Sequence, residues 1–194
     1  KECIMKKFLV FIGLIIIVIV LMLSYYGLFT EVKIVEREVG PLWLVYEKHI
    51  GNYKNVGPVM DKIYNDLLNN DSIEAAKGFG LYYDNPQEIE KEKLRSIVGC
   101  ILEKGDENKI EDLKDNYKIK EYPSSKSVVV EFPFKGILSI FIGIFKVYPK
   151  LSEYIKNHSY RHAPIMEIYD RTNKKITYVA SVKLDPGIFD NFLE

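Results

Sequence analysis

The sequence GFGLYYD covers Gly78–Asp84, and the sequence PIMEIYD covers Pro164–Asp170. Both stretches are short, apolar and rich in strand-forming residues, and both end in the pair Tyr-Asp. The two pairs lie 86 residues apart. A turn glycine recurs at nearly the same distance, because Gly51 and Gly136 are 85 residues apart. A constant offset between similar segments indicates an internal duplication.

The surrounding sequence gives each half of the duplication the order strand, helix, strand, strand. Apolar residues at three- and four-residue spacing predict the helices, and short apolar runs closed by Gly, Pro or Asn predict the strands. The predicted strands are Val32–Val39 at an edge, then Leu42–Ile50, Gly78–Asp84 and Leu94–Glu103 in the first unit, and Ser127–Lys135, Ala163–Asp170 and Lys175–Leu184 in the second unit. The predicted helices are Val56–Leu68 in the first unit, Leu138–Lys156 in the second unit, and a connector over Asn108–Asn116. The expected fold class is therefore α+β, with two units related by a pseudo-two-fold axis and a cleft between the open faces of their sheets.

An uncharged apolar run occupies residues 8–29 and directly follows Lys6 and Lys7. A helix of this length spans about 33 Å, close to the thickness of the hydrocarbon core of a bilayer. Because lysines precede the run, the positive-inside rule places the N-terminus in the cytosol and the rest of the chain on the non-cytosolic side. We expect a short flank over residues 1–7, one transmembrane helix over 8–29, and one domain over 30–194.

A cleaved signal sequence is the alternative interpretation of this run. Signal peptidases require small residues at the end of the apolar region. The sequence instead has Tyr25, Tyr26 and Phe29 there. These side chains are typical of the aromatic belt at a membrane surface. The pattern therefore favours a permanent anchor.

The composition of residues 30–194 excludes several classes of function. This part of the chain carries 24 basic and 26 acidic side chains, so it has no basic surplus of the kind that nucleic-acid-binding domains show. Cys100 is the single cysteine of this part, so no disulfide forms within it. His158 and His162 have the spacing of a helical metal pair but lack a third ligand in the sequence. No phosphate-binding glycine motif is present, and we expect neither a metal nor a cofactor.

Glu167 is the candidate for chemistry. Aligning the two halves at their Tyr-Asp ends pairs Glu167 with Leu81. Strand alternation then predicts that Phe79, Leu81 and Tyr83 share one face, and that Glu167 and Tyr169 lie on the equivalent face of the other half.

A carboxylate among apolar neighbours is unfavourable unless it is paired or functional. Two interpretations of Glu167 remain open at this point. Either Glu167 is exposed or forms a structural ion pair with Arg95 or Arg161, or it contacts a ligand.

The sequence resembles the GyrI-like small-molecule-binding superfamily in three stretches, Gly78–Pro86, Leu94–Ile101 and Pro164–Tyr169. The resemblance extends over about Val32–Val182. Within it, the anchor and the segments near residues 137–140, 147–149 and 154–156 are similar to a membrane-anchored branch that includes an autophagy receptor. The resemblance implies the duplicated fold and makes Glu167 the cleft carboxylate that meets cationic aromatic ligands. It also places Tyr83 and Tyr169 at the border of the cleft.

We therefore expect a single-pass, membrane-anchored and non-catalytic module that binds a small apolar ligand, with or without a positive charge. The expected ligand-binding residues are Glu167, Tyr169, Tyr83, Leu81 and Phe79. The expected partners are the ligand and the membrane, with no nucleic acid.

Two alternatives remain. The first is a GyrI-like hydrolase in which Glu167 and Tyr169 act as base and acid; a Glu167 with a raised pKa beside a tyrosine hydroxyl would favour it. The second is an adaptor of the autophagy-receptor type with a protein partner. A filled cleft together with an exposed apolar patch would favour the adaptor, and an open aromatic cleft would favour the binding module.

Overall fold

The computed structural model describes residues 2–194, with side chains from Met5 onward. Lys1, the first residue of the predicted flank, lies outside the described residues. The helices and strands are α1 (Glu2–Tyr25), β1 (Ile34–Val39), β2 (Leu42–Ile50), α2 (Val56–Asp71), β3 (Lys77–Tyr82), β4 (Arg95–Ile101), α3 (Ile110–Leu113), β5 (Lys118–Tyr122), β6 (Ser125–Pro133), α4 (Ile137–Asn157), β7 (Ile165–Asp170), β8 (Lys175–Ser181) and α5 (Pro186–Asn191).

Helix α1 contains the apolar run. Its segment Met5–Tyr25 has 21 residues and a mean hydropathy of 3.1, and its most apolar window is entirely unburied. Such a helix spans about 32 Å, which is long enough to cross a bilayer. The helix ends at Tyr25, and residues 26–29 form turns that lead into the domain.

The eight strands form one antiparallel sheet in the order β1-β6-β8-β7-β3-β4-β2-β5. The two repeated units are β2-α2-β3-β4 and β6-α4-β7-β8, so the duplicated α+β fold class is confirmed. The units join edge to edge through β3 and β7, instead of presenting two separate sheets to each other. The pairing β2-β4-β3 in the first unit is repeated as β6-β8-β7 in the second.

The two long helices lie on the same face of the sheet. Ile63 and Leu67 of α2 pack with Val45 and Cys100. In the other unit, residues of α4 pack with β6, β7 and β8 in a core that includes Val128, Phe132, Ile142, Val147, Tyr169 and Tyr178. We call this the helical face.

The opposite face is covered by the C-terminal segment. Phe189 of α5 and Phe192 just after it pack against Phe79, Leu81 and Met166. Helix α5 begins with Pro186 and is capped by Asp185, whose side chain accepts a hydrogen bond of 2.8 Å from the Gly187 amide. Neither α5 nor the short strand β5 was predicted from the sequence. Strand β5 has the sequence KIKEY, which lacks an apolar pattern, and the strand forms because β2 offers it an edge.

Candidate functional site

The carboxylate of Glu167 lies in the interior of the helical face, on the central strand β7. Glu167 is 2% exposed. Its Oε1 accepts a hydrogen bond of 2.6 Å from the Tyr148 hydroxyl of α4, and its Oε2 accepts one of 2.7 Å from Tyr169. Both carboxylate oxygens are therefore held by phenolic donors.

Strand register determines which side chains surround Glu167. Across the two neighbouring strands, Glu167 is paired with Gly80 of β3 and with Tyr178 of β8. A Cβ atom on Gly80 would lie 2.6 Å from the Tyr82 hydroxyl. The missing side chain thus makes room for Tyr82, whose hydroxyl lies 3.3 Å from that of Tyr169.

Four tyrosines, Tyr82, Tyr148, Tyr169 and Tyr178, form what we call the tyrosine cage around Glu167. The ring centroids of Tyr148 and Tyr178 lie 5.9 Å apart in an edge-to-face arrangement. The buried Tyr178 hydroxyl has no hydrogen-bond partner among the described residues. A buried hydroxyl without a protein partner is uncommon in folded proteins.

Burial governs the electrostatics of the cage. It raises the pKa of Glu167, although the hydrogen bonds from Tyr148 and Tyr169 act in the opposite direction. Burial and the nearby carboxylate also raise the pKa of Tyr148 and of Tyr169 well above the usual range for tyrosine. The cage hydroxyls therefore remain protonated donors at physiological pH.

The carboxylate has no cationic partner within the described part of the chain, because none of the salt bridges there includes Glu167. Arg95 instead pairs with Asp84, at 2.7 and 3.0 Å. The structural alternatives weighed from the sequence, exposure of Glu167 or an ion pair with Arg95 or Arg161, are not what the structure contains.

The structure brings Glu167 and Tyr169 together, but not the other three candidates. Phe79 and Leu81 are fully buried on the opposite face, against α5. Tyr83 lies just beyond β3 and donates a hydrogen bond of 2.7 Å to the Phe189 carbonyl, also on that side. The expectation that Phe79, Leu81 and Tyr83 share a face with Glu167 is therefore wrong.

This prediction failed because even-numbered and odd-numbered residues lie on opposite faces in β3 and β7. In β3 the even-numbered residues face the helices, whereas in β7 the odd-numbered residues do, as the pairing of Gly80 with Glu167 requires. Because 86 is even, an alignment of the two halves at this offset matches residues of β3 on one face of the sheet with residues of β7 on the other face. An offset of 87 matches Tyr82 with Tyr169, so Tyr82, and not Tyr83, was the residue of β3 that indicated the cage.

Two other cage members were missed for different reasons. Tyr148 comes from α4, and no local pattern relates a helical tyrosine to a strand carboxylate. Tyr178 lies on β8 directly across from Glu167, so the predicted strand pair would have identified it once the register was known.

The cage is closed in this structure. Two surface cavities, of about 350 and 300 Å³, lie elsewhere: one is lined by Tyr25, Phe134, Lys135, Gly136, Arg171 and Lys174, and the other by Ser159, Tyr160, Arg161, Val182, Lys183, Leu184 and Asp185. Tyr148 covers the carboxylate from α4, and the residue that follows it, Pro149, lies inside the helix. Proline cannot donate the backbone hydrogen bond that the Phe145 carbonyl would otherwise accept, so α4 is weakened next to Tyr148.

Comparison with known proteins agrees with the fold. The family model described as "GyrI-like small molecule binding domain" matches residues 30–184. Testis-expressed protein 264 from Homo sapiens is 30% identical over 169 residues, which are 81% of this chain and 52% of that protein. Its homolog from Mus musculus is 30% identical over 155 residues, 75% of this chain and 48% of that protein. The chain thus spans about half the length of these curated relatives.

Solved structures show the same fold. The crystal structure of the EcmrR C-terminal domain superposes with a TM-score of 0.54 at 12% identity, covering 78% of this chain and 96% of that one. EcmrR in a cryo-EM complex with DNA gives the same TM-score at 11% identity, covering 78% of this chain and 57% of that one. From the match over residues 30–184, this chain belongs to the GyrI-like small-molecule-binding family.

Proposed function

We propose that the protein is a single-pass, membrane-anchored and non-catalytic module that binds a small apolar cation in the tyrosine cage. The observation that supports this most directly is the buried carboxylate of Glu167, which is held by two phenols and by no cation. Burying an ionised carboxylate is unfavourable unless a positive charge compensates it. A ligand cation would supply that charge.

The surroundings of Glu167 suit such a ligand. Aromatic ring faces attract cations, most strongly when water is excluded. The cage provides four phenol rings around one carboxylate, and the unpartnered Tyr178 hydroxyl offers a hydrogen bond to a polar group of the ligand. Apolar walls with few polar groups are the usual composition of small-molecule sites.

Ligand entry requires a movement of α4, because Tyr148 occupies one oxygen of Glu167. In this proposal the Tyr148 hydroxyl is a substitute for the ligand, and the ligand displaces it when α4 shifts at the weakened turn beside Pro149. Helix α4 is the mobile wall of the site and the sheet is its fixed floor.

Titration of the full chain with a cationic rhodamine dye tests the proposal. Glu167→Gln keeps the size and polarity of the side chain but removes the charge, so we expect dye binding to weaken by about 1.5–3 kcal/mol, or roughly 10- to 150-fold. A neutral dye of similar size should bind wild type and variant alike. Glu153→Gln, which changes an exposed glutamate of α4, is the matched control and should leave both affinities unchanged. Equal binding of the cationic dye to wild type and Glu167→Gln would overturn the proposal.

An adaptor domain is the second candidate, and the closed cage together with exposed apolar residues on α4 favours it. An adaptor would bind a protein partner whether or not the cage can open. A disulfide or cross-link that holds α4 against the sheet would then leave partner binding intact, whereas it would abolish dye binding by the module proposed above.

A hydrolase is the third candidate. The raised pKa of Glu167 and its 2.7 Å contact with Tyr169 are the arrangement of a general base beside a general acid. Both carboxylate oxygens already accept hydrogen bonds, so a reacting water has no free oxygen on Glu167 until Tyr148 leaves. Turnover of an ester or epoxide substrate that Glu167→Gln abolishes would favour this candidate.

A further inference from the structure

Helix α4 carries a line of exposed apolar side chains on its first half. Ile137, Phe141, Ile144 and Phe145 are 73%, 53%, 40% and 81% exposed. Their spacing of three and four residues places them on one side of the helix, away from the sheet. We call these four residues the α4 stripe. Exposed clusters of this kind are uncommon on soluble proteins and mark a contact surface.

The α4 stripe lies beside the point where α1 enters the domain. Ser139 of α4 donates a hydrogen bond of 3.1 Å to the Tyr26 carbonyl. Lys146 donates to the Leu28 carbonyl and, at 2.7 Å, to the Thr30 carbonyl. Gly27 packs so closely on Phe132 that a Cβ atom there would lie 2.8 Å from the phenyl ring. The turn residues that directly follow α1 are therefore held against the first half of α4 and against β6.

A basic cavity of about 350 Å³ adjoins the α4 stripe at its first residue. Its lining includes the cations Lys135, Arg171 and Lys174, together with Tyr25 at the end of α1 and Gly136, the residue before the stripe. The Lys135 ammonium lies 4.9 Å from the centre of the Tyr25 ring. No acidic residue lines this cavity, although Arg171 also forms an exposed salt bridge of 3.3 Å with Asp61 outside it.

We infer that the α4 stripe and the basic cavity together form a surface that lies on the bilayer, with the stripe among the upper acyl chains and the cavity around an anionic lipid headgroup. This inference rests on the proposed membrane crossing of α1. It fixes the orientation of the domain on the membrane and places the mobile wall of the tyrosine cage in contact with lipid.

Three features favour lipid over a protein partner. The surface is continuous with α1. Tyr25 at the end of α1 and Phe29 in the turn that follows are 62% and 68% exposed and are the residue types of a membrane interface. The surface combines Phe and Ile with flanking lysines, which is the composition of helices that lie in an interface. The cavity presents cations to the headgroup layer, where lipid phosphates accept charge-assisted hydrogen bonds from Lys and Arg.

Tryptophan quenching in reconstituted membranes tests the α4 stripe. The full chain has one tryptophan, Trp43, which serves as the baseline. Phe145→Trp adds an indole within the stripe, and lipids brominated near the top of their acyl chains should remove most of the added emission. Ile50→Trp is the matched control: Ile50 is 71% exposed and lies where β2 ends beside Arg95, at the opposite end of the sheet from Lys174. Its added emission should be almost unquenched.

A second measurement tests the basic cavity. The membranes contain phosphatidylcholine and phosphatidylglycerol, and only one of the two lipids is brominated in each sample. At equal bromine content, brominated phosphatidylglycerol should quench the tryptophan emission of Phe145→Trp more than brominated phosphatidylcholine does. The double change Lys135→Gln and Lys174→Gln should remove this preference. The control double change Lys54→Gln and Lys91→Gln alters two exposed lysines at the far end of the sheet and should preserve it.

The outcomes separate the inference from the proposed function. If alkaline carbonate extracts the full chain from membranes, α1 does not cross them and the anchor itself is wrong. If the chain stays in the membrane but Phe145→Trp is quenched no more than Ile50→Trp, the α4 stripe does not touch lipid and the inference is overturned. Protection of that indole from acrylamide without quenching by brominated lipid would show that a second copy or another protein covers the stripe, which also overturns it. A lipid preference that survives the change of Lys135 and Lys174 overturns the role of the cavity.

Discussion

Tyr148 of α4 donates a hydrogen bond of 2.6 Å to Glu167 of β7, and this bond joins the long helix of the second unit to the centre of the sheet. The acceptor is a carboxylate that is 2% exposed, so the bond is charge-assisted and shielded from water. The same bond closes the tyrosine cage. In the function proposed above, ligand access would therefore depend on the hydroxyl that also stabilises the fold.

The change Tyr148→Phe distinguishes the effect of this hydroxyl on stability from its proposed effect on ligand access. We expect Tyr148→Phe to lower the free energy of unfolding by about 1.5–3 kcal/mol at neutral pH, the usual contribution of a hydrogen bond to a charged group. If the hydroxyl competes with a ligand cation for Glu167, as proposed, the cationic dye should bind the variant at least as tightly as wild type. Chemical denaturation and dye titration measure the two effects. Tyr64→Phe on α2 is the control, and weaker dye binding to Tyr148→Phe would show that Tyr148 holds the ligand instead of excluding it.

Glu167 should give the stability of the protein a distinctive dependence on pH. Burial raises its folded-state pKa above the ordinary value of 4.5. Between 4.5 and the folded pKa, the folded protein keeps a proton that the unfolded chain has lost, so stability falls as the pH rises through this window. Each pKa unit of the shift corresponds to about 1.4 kcal/mol.

Glu167→Gln removes this titration. The variant should therefore gain stability relative to wild type at pH 7 and lose that advantage near pH 4, where wild-type Glu167 is protonated in the folded state. Thermal unfolding across this pH range checks the sign. A variant that is less stable than wild type at pH 7 would mean that the ionised carboxylate stabilises the fold.

Much of the fold was accessible from the sequence. The strand β2 was predicted with the bounds that the structure has, and α4 differs from its prediction by one residue at each end. Periodic apolar residues carry this information locally, since a helix or a strand must bury one side. Segments that form because the folded sheet offers them an edge or a face, such as β5 and α5, had no such local pattern.

The site was less accessible than the fold. The apolar neighbours of Glu167 marked it as a candidate but left its burial open, and the structure shows it to be buried. A one-residue error in the repeat alignment reversed the face of every β3 candidate, as happens whenever a strand register slips by one. Tyr82 became visible as a cage residue only when Gly80 was seen across from Glu167. Long-range pairing of this kind is a property of the folded chain.

Gly80 should be essential to the shape of the cage. A methyl group at this position would overlap the Tyr82 ring, with contacts of 2.6 to 2.8 Å. We expect Gly80→Ala to destabilise the protein by about 1–3 kcal/mol, the range for overpacking a core. The loss should shrink in a Tyr82→Ala background, because the clashing ring is then absent. Gly57→Ala is the control, since no atom lies within 4 Å of a Cβ there. Unfolding curves of wild type, Gly80→Ala, Tyr82→Ala, the double variant and Gly57→Ala complete the test.

A second carboxylate should control stability at acid pH. Hydrogen bonds from Lys126 and Tyr160 lower the pKa of Glu36 to about 2, from an ordinary value of 4.5. A lowered folded pKa adds stability above 4.5 that is lost as the pH falls towards 2. Glu36→Gln should therefore flatten the acid limb of the stability curve in that window. An acid limb that is the same in Glu36→Gln and wild type would contradict the assignment.

If α1 crosses a membrane as proposed, the sequence also predicts on which side of it the domain lies. Lys6 and Lys7 precede the apolar helix, and the charges that follow it are of mixed sign, with Glu31 and Glu36 beside Lys33 and Arg37. The excess of positive charge before the helix favours a cytosolic N-terminus and a domain on the other side. Protease added to intact cells should therefore digest the domain, while a cytosolic marker protein stays intact. Replacing Lys6 and Lys7 by glutamate should weaken or reverse this orientation, because the bias would then be lost. Protection of the wild-type domain until the membrane is broken would place it in the cytosol and strengthen the adaptor candidate.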